Sequence, residues 1–170
     1  MEADIFYEIE KTTGELIEII SPLSQEELNE IPFQGSWTAA QVGGHLLKSY
    51  GVVEILNGPL AKTKRRPGEK IEKIKAVFLN FGTKFKSSEM ILPSNDVIDK
   101  EILLNFLHKR IAQIREVIQT KDLSETCESI AVPGFGVLTR LEWIHLILYH
   151  TQRHIHQLKN ILKLIETIKI

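Results

Sequence analysis

Apolar residues recur at helical spacing through most of the chain. Ile5, Ile9, Leu16, Ile19 and Ile20 lie along one side of a helix from Ile5 to Ile20, with lysine and glutamate between them and Gly14 as a weak point in its middle. Ser21 and Pro22 end it, and Ser24 followed by Gln25, Glu26 and Glu27 has the serine and acidic first turn of a short helix. After the linker I-P-F-Q-G-S, Thr38 and Gln41 have the spacing of a capping box, with Trp37 and Val42 in the staple positions on either side. A second helix is therefore predicted from Ala39 to Leu56, stopped by Gly58 and Pro59, with Gln41, Val42, His45, Ser49 and Val52 on one stripe. That stripe points His45 toward the core.

Leu60 to Gly68 reads as a basic loop, Glu69 to Asn80 as a short helix with Ile71, Ile74, Val77 and Phe78 inward, and Gly82 to Asn95 as a connection. Asp96 to Gln119 carries Ile102, Leu103, Phe106, Leu107, Ile111, Ile114 and Ile118 on one stripe, which predicts a third long helix. Asp122 to Gly136 reads as irregular, with V-P-G-F-G marking a turn. Thr139 and Glu142 repeat the capping-box spacing and open a fourth helix that runs through His150 and His154 to about Glu166. No segment alternates as a sheet strand does. The expectation is an all-α fold, a bundle of four main helices with short additional helices in the connections, and the long Gly82–Asn95 joint argues for a crossover or a bundle with an inserted helix rather than simple up-down order.

The 170 residues, 43% of them hydrophobic, are enough for one domain with its own core, residues 1–170, and none beyond it is expected. Lys and Arg number 21 against 22 Asp and Glu, so no global field would recruit nucleic acid or an anionic membrane, and a small molecule or a second copy of the chain is the expected partner. Cys127 is the sole cysteine, which excludes an internal disulfide and suits a reducing cytoplasm. The acidic, amphipathic start lacks the pattern of a secretory signal, and the apolar run from Trp143 to Tyr149 is too short to span a bilayer. A cytoplasmic location is expected.

The chemistry concentrates in Y-H-T-Q-R-H-I-H-Q-L, from Tyr149 to Leu158. His150 and His154, one helical turn apart, leave the same face together with Gln157, and His45 comes from a second amphipathic segment that can face them across a bundle. Spacing leaves two readings open, hydrogen-bonded core histidines or ligands of a divalent metal with an open position. Side-by-side imidazoles each need a polar partner when buried, and one cation satisfies all of them. His145 and His156 share roughly the opposite face and fall outside this set, as does His108; a surface or dimer contact is expected for the first two. The residue after His150 is threonine, so this is not the H-E-x-x-H helix with its glutamate base. Cys127, beside Glu125 and Glu128 in an expected loop, reads as an inert thiol, and the run Lys62 to Arg66 as a solvated loop able to hold an anion only by folding over the bundle mouth.

W-T-A-A-Q-V-G-G-H-L-L, followed about a hundred residues later by G-V-L-T-R-L-E-W-I-H-L-I-L-Y-H-T-Q-R-H-I-H-Q-L, resembles the DinB-like superfamily of metal-dependent enzymes. The resemblance implies a four-helix bundle with an unusual connection, often dimeric, in which one histidine from the second helix and two from the fourth bind zinc or nickel. On this chain those positions are His45, His150 and His154. It also implies a thiol-dependent activity, either a transferase that joins a low-molecular-weight thiol such as bacillithiol or glutathione to an electrophile, or a mycothiol-dependent isomerase. The insertion-like region from Gly58 to Asn95 departs from the usual members and bears on the shape of the pocket. The resulting expectation is an S-transferase acting on small electrophiles, with hydrolysis of a small molecule or metal binding and sensing without turnover as alternatives. Gln157 is the expected catalytic residue, placed to orient a ligand or water.

Overall fold

The computed structural model describes residues 2–168, and the chain is mostly helical. In order, α1 spans Glu2–Ile20, α2 Gln25–Leu28, α3 Ala39–Ser49, α4 Val52–Leu56, β1 Leu60–Ala61, α5 Ile71–Phe78, α6 Lys100–Thr120, β2 Thr126–Val132, β3 Gly136–Thr139 and α7 Arg140–Ile168, with a single 3-10 turn at Glu89–Ile91 between α5 and α6. The long helices α1 and α3 each pack on both α6 and α7, and α5 lies on α7. Leu16, Ile20, Leu46, Leu107, Ile114, Ile144 and Leu158 meet in the core at 2% exposure or less.

Local rules set the helix starts. Ser24 and Thr38 both form full capping boxes with Glu27 and Gln41. Thr139 and Glu142 do the same at the head of α7, the Thr139 hydroxyl accepting from the Glu142 amide at 3.1 Å and the Glu142 carboxylate from the Thr139 amide at 3.0 Å. Each cap contributes about 1 kcal/mol and fixes where the following histidines fall along the helix. Gly14 does not interrupt α1.

Several expectations need correction. The second helix is two pieces, because the amides of Gly51, Val53 and Glu54 turn to i−3 carbonyls around Gly51, a residue with little helical preference. The third long helix begins at Lys100 with Asp99 as its cap, and Asp96 instead closes a turn with Ser94. Ile102 and Phe106, assigned to its apolar stripe, are 57% and 50% exposed, because the buried face is the narrower line of Leu103, Leu107, Ile111, Ile114 and Ile118.

The absence of a sheet was also wrong. β1, β2 and β3 form an antiparallel three-stranded sheet in that order, so neither 60–61 nor most of 122–136 is irregular. Within β2 only Cys127 is buried, and its register with β3 shifts between Thr126 and Ala131. A mostly exposed strand with a bulge has no apolar alternation to read. The turn itself matches expectation: the Phe135 amide donates to the Val132 carbonyl at 2.9 Å across Pro133 and Gly134, and Gly134 has φ of 80°, the left-handed value its position requires.

Candidate metal centre

α3 and α7 each bring histidine to one point. His45, His150 and His154 are buried, at 1%, 8% and 8% exposure, and the Nε2 of His150 lies 3.0 Å from both the His45 and the His154 Nε2. Their ring centroids are 4.5–4.9 Å apart, with the planes steeply inclined, so the nitrogens rather than the ring faces converge.

The outer nitrogens determine what the inner ones offer. His45 Nδ1 donates to the Ile91 carbonyl at 2.7 Å, and His154 Nδ1 donates to the Gln157 amide oxygen at 2.7 Å. Both acceptors lack protons, so in the neutral rings the Nε2 atoms of His45 and His154 carry lone pairs. His150 can place a proton on one of its two 3.0 Å contacts but not on both. At least one of the two 3.0 Å contacts is then left with no hydrogen between its nitrogens. Two imidazoles on one divalent ion, at metal–nitrogen distances of about 2.0–2.1 Å, sit roughly 3 Å or slightly more apart, so this donor set fits a cation better than it fits hydrogen bonding.

Electrostatics keep the rings neutral. Burial pushes His154 down to about 4, with His45 and Arg153 adding to the effect against the Gln157 hydrogen bond. Burial, then His154, His45 and Arg153, hold His150 well below its ordinary value. Burial also lowers His45, with Lys48 adding to it against the Ile91 hydrogen bond. Neutral imidazole is the form that binds metal.

The surroundings are aromatic and cationic. Trp37 lies 5.1 Å from His45 and stacks at 6.4 Å on His154, and Phe78 meets His150 edge-on at 5.8 Å. Beneath the site, the Tyr50 hydroxyl bonds Thr151 at 2.9 Å, a buried tie between α3 and α7.

Of the residues expected to matter, His45, His150 and His154 are brought together. Gln157 joins them through His154, its amide oxygen accepting from the ring Nδ1 at 2.7 Å. His156 is exposed and stacks on Phe81 at 4.3 Å, His145 bonds its own helix at the Leu141 carbonyl, and His108 is exposed, so all three stand apart from the cluster. Cys127 lies in β2 rather than a loop, and burial is the main cause that raises its thiol to about 11, with Glu125 a lesser one. The basic run does not cover the site. Arg65 instead grips the buried Glu142 with two bonds of 2.6 and 2.7 Å, and the amides of Lys70 and Thr139 complete the carboxylate's partners. Burial alone would raise Glu142, but these donors together hold it below the usual carboxylate range.

Sequence reasoning missed the Ile91 carbonyl and Arg153. A main-chain oxygen leaves no residue-type signal, and Arg153 sits inside the histidine motif without belonging to its spacing.

A sequence model of the DinB superfamily matches residues 8–158. The chain is also 28% identical over 150 residues to an uncharacterized protein, YuaE, of Bacillus subtilis (strain 168), covering 85% of this chain and 88% of that one. No solved structure matches at a significant level.

Proposed function

Because the chain belongs to the DinB superfamily, we propose that His45, His150 and His154 hold a divalent ion, zinc or nickel, in an enzyme that joins a low-molecular-weight thiol to a small electrophile. The observation that carries this is the convergence of three neutral Nε2 atoms with too few protons to satisfy one another. The long helices α1, α3 with α4, α6 and α7 are read as the four-helix bundle around that site, and the sheet and α5 as additions to it.

When bound, the ion supplies a Lewis acid that makes a coordinated thiol or water acidic at neutral pH. The chain does the rest. Ile91 and Gln157 fix two of the rings so that their lone pairs point inward, Gln157 acting as a positioning residue. Trp37 and Phe78 exclude water from two sides and offer apolar surface to an electrophile. A thiol, with a pKa of about 8.5 before it binds, would be deprotonated outright on coordination, which favours thiol transfer over hydrolysis.

Elemental analysis of purified protein, with a conjugation assay pairing bacillithiol or glutathione with a chlorinated aromatic electrophile, tests this reading. Near-stoichiometric metal and a conjugate are expected. Metal without any conjugate removes the transferase and leaves hydrolysis or metal sensing; no metal removes the centre. The same reading takes the protein as a cytoplasmic homodimer, which light scattering checks for oligomeric state.

A further inference from the structure

His45, His150 and His154 are only 1%, 8% and 8% exposed, and the two main clefts lie elsewhere, along α1 and α7 at Lys11, Thr12 and His156 and on α5 at Glu72 and Lys75. An ion or substrate that reaches the cluster therefore needs one of its walls to move. α3 and α7 are fixed by the core, α5 is pinned by the fully buried Ile74, and the segment leading into α3 by buried Pro32. The stretch between α5 and α6 is different. Not one of residues 80–97 is buried, and Phe81, Phe85, Met90, Leu92 and Val97 are each at least 40% exposed. A connection longer than about 15 residues with a single 3-10 turn is uncommon in a compact domain unless it serves a site.

Polar side chains on α3 and α7 hold this strap down. Lys48 donates to the Leu92 carbonyl and Gln41 to that of Ser94 at 3.2 Å, and Arg153 donates to the carbonyls of Phe78 at 3.2 Å and Asn80 at 2.9 Å and also to that of Thr83. The Arg153 guanidinium lies over the Phe85 ring at 4.7 Å, and Phe81 stacks on His156. Most of these bonds lie at the surface, so water replaces them when the strap lifts, and little apolar area is uncovered. The two ends are held more firmly. Phe78 meets the His150 ring at 5.8 Å, and Ile98 has its amide on the Asn29 side chain at 2.9 Å and its carbonyl on Gln25 and Asn29 at 2.8 and 2.9 Å. Fixed ends with a loosely tied middle are the anatomy of a hinged cover.

We propose that residues 80–97 are a lid that opens between Leu79 and Ile98 to admit reactants to the histidines, with Arg153 and Lys48 as its latches. The Ile91 carbonyl belongs to the lid and accepts from His45 Nδ1 at 2.7 Å, so opening also frees the His45 ring from the partner that sets its tautomer. Access to the cluster and loosening of one of its three rings are then a single movement. What the lid admits rests on the metal-centre reading; that it covers the rings and lifts does not.

The test uses the full metal-free chain and diethyl pyrocarbonate, which acylates neutral imidazole, with the rate at each histidine read by mass spectrometry. In the wild type His45, His150 and His154 should react slowly beside exposed His108. Arg153→Gln should speed all three by about tenfold, the change expected when the shut lid loses charged hydrogen bonds, while His108 and half-buried His145, which stand apart from the cluster, keep their rates. Equal rates at the three rings in both chains overturn the proposal, and so does an equal rise at His145, the mark of general loosening. Cobalt uptake and release to a chelator give a second reading. A lower barrier speeds both directions alike, so both rates should rise in Arg153→Gln while affinity stays within about threefold. A fall in affinity with uptake unchanged would make Arg153 a support for His154 and overturn the lid. A chain that takes up no cobalt removes the metal-centre reading alone, and the acylation rates still decide the lid. Should Arg153→Gln fail to fold, Lys48→Met takes its place with the same outcomes.

Discussion

His45 and His150 stand 105 positions apart in the chain and place their Nε2 atoms 3.0 Å from each other. No local rule enforces that contact. It exists because α3 and α7 pack together, with Tyr50 and Thr151 bonded a little further along the same interface.

His45→Ala removes the one member of the three-histidine cluster that comes from outside α7 among the described residues. Metal affinity is expected to fall by more than about 100-fold, beyond the usual effect of losing a group that merely supports a ligand. Far-ultraviolet circular dichroism should still report a helical chain, and elemental analysis beside wild type makes the measurement. Full metal content in this variant would mean the three rings do not share one ion.

Gln157→Leu frees the His154 Nδ1 proton from its acceptor at 2.7 Å. Metal affinity should drop by roughly 10–100-fold with little change in unfolding midpoint, whereas Gln157→Glu should restore or tighten binding because a carboxylate raises the basicity of the ring. Competition with a chromophoric chelator reads both.

The histidines also set a pH dependence. Their folded values lie below the ordinary 6.5, His154 at about 4, so between those limits the unfolded chain binds more protons than the folded one. Stability of the metal-free protein should therefore be full above pH 6.5 and decline as pH falls from 6.5 toward 4. Bound metal should be lost on acidification as protons compete for the same nitrogens. Thermal melts across pH with and without zinc test this. A His154→Gln chain should show a shallower decline in the same window, and an unchanged slope would count against the assignment.

Arg65→Ala leaves the fully buried Glu142 carboxylate with only the amides of Thr139 and Lys70. A loss of about 2–3 kcal/mol is expected, below the usual cost of stranding a buried charge because Arg65 is itself partly exposed and two donors stay. Urea unfolding measures it. Arg65→Ala combined with Glu142→Gln should be less destabilised than the sum of the single changes, since the second removes the stranded charge.

Much of the helical part of the molecule was legible in advance, for reasons confined to a few neighbouring residues. The capping boxes at Thr38 and Thr139 connect positions three apart, and the spacing of His150 and His154 follows from the helical repeat alone. The hairpin was not legible, because its side chains are mostly exposed and its register shifts. The exposure of Ile102 and Phe106 was not legible either, since periodicity marks a stripe but not how much of it a neighbour covers.

By itself the amino-acid order determined where the main helices lie, where α3 and α7 start, and which two imidazoles share a face, since each depends on contacts within a turn or two. Only the packed chain decided that His45 meets them, that the Ile91 carbonyl sets the His45 tautomer, that Arg65 is committed to Glu142, and that Arg153 and Lys48 rest on main-chain oxygens of residues 78–92. Those contacts span tens of residues, and several end on backbone oxygen, which every residue carries alike.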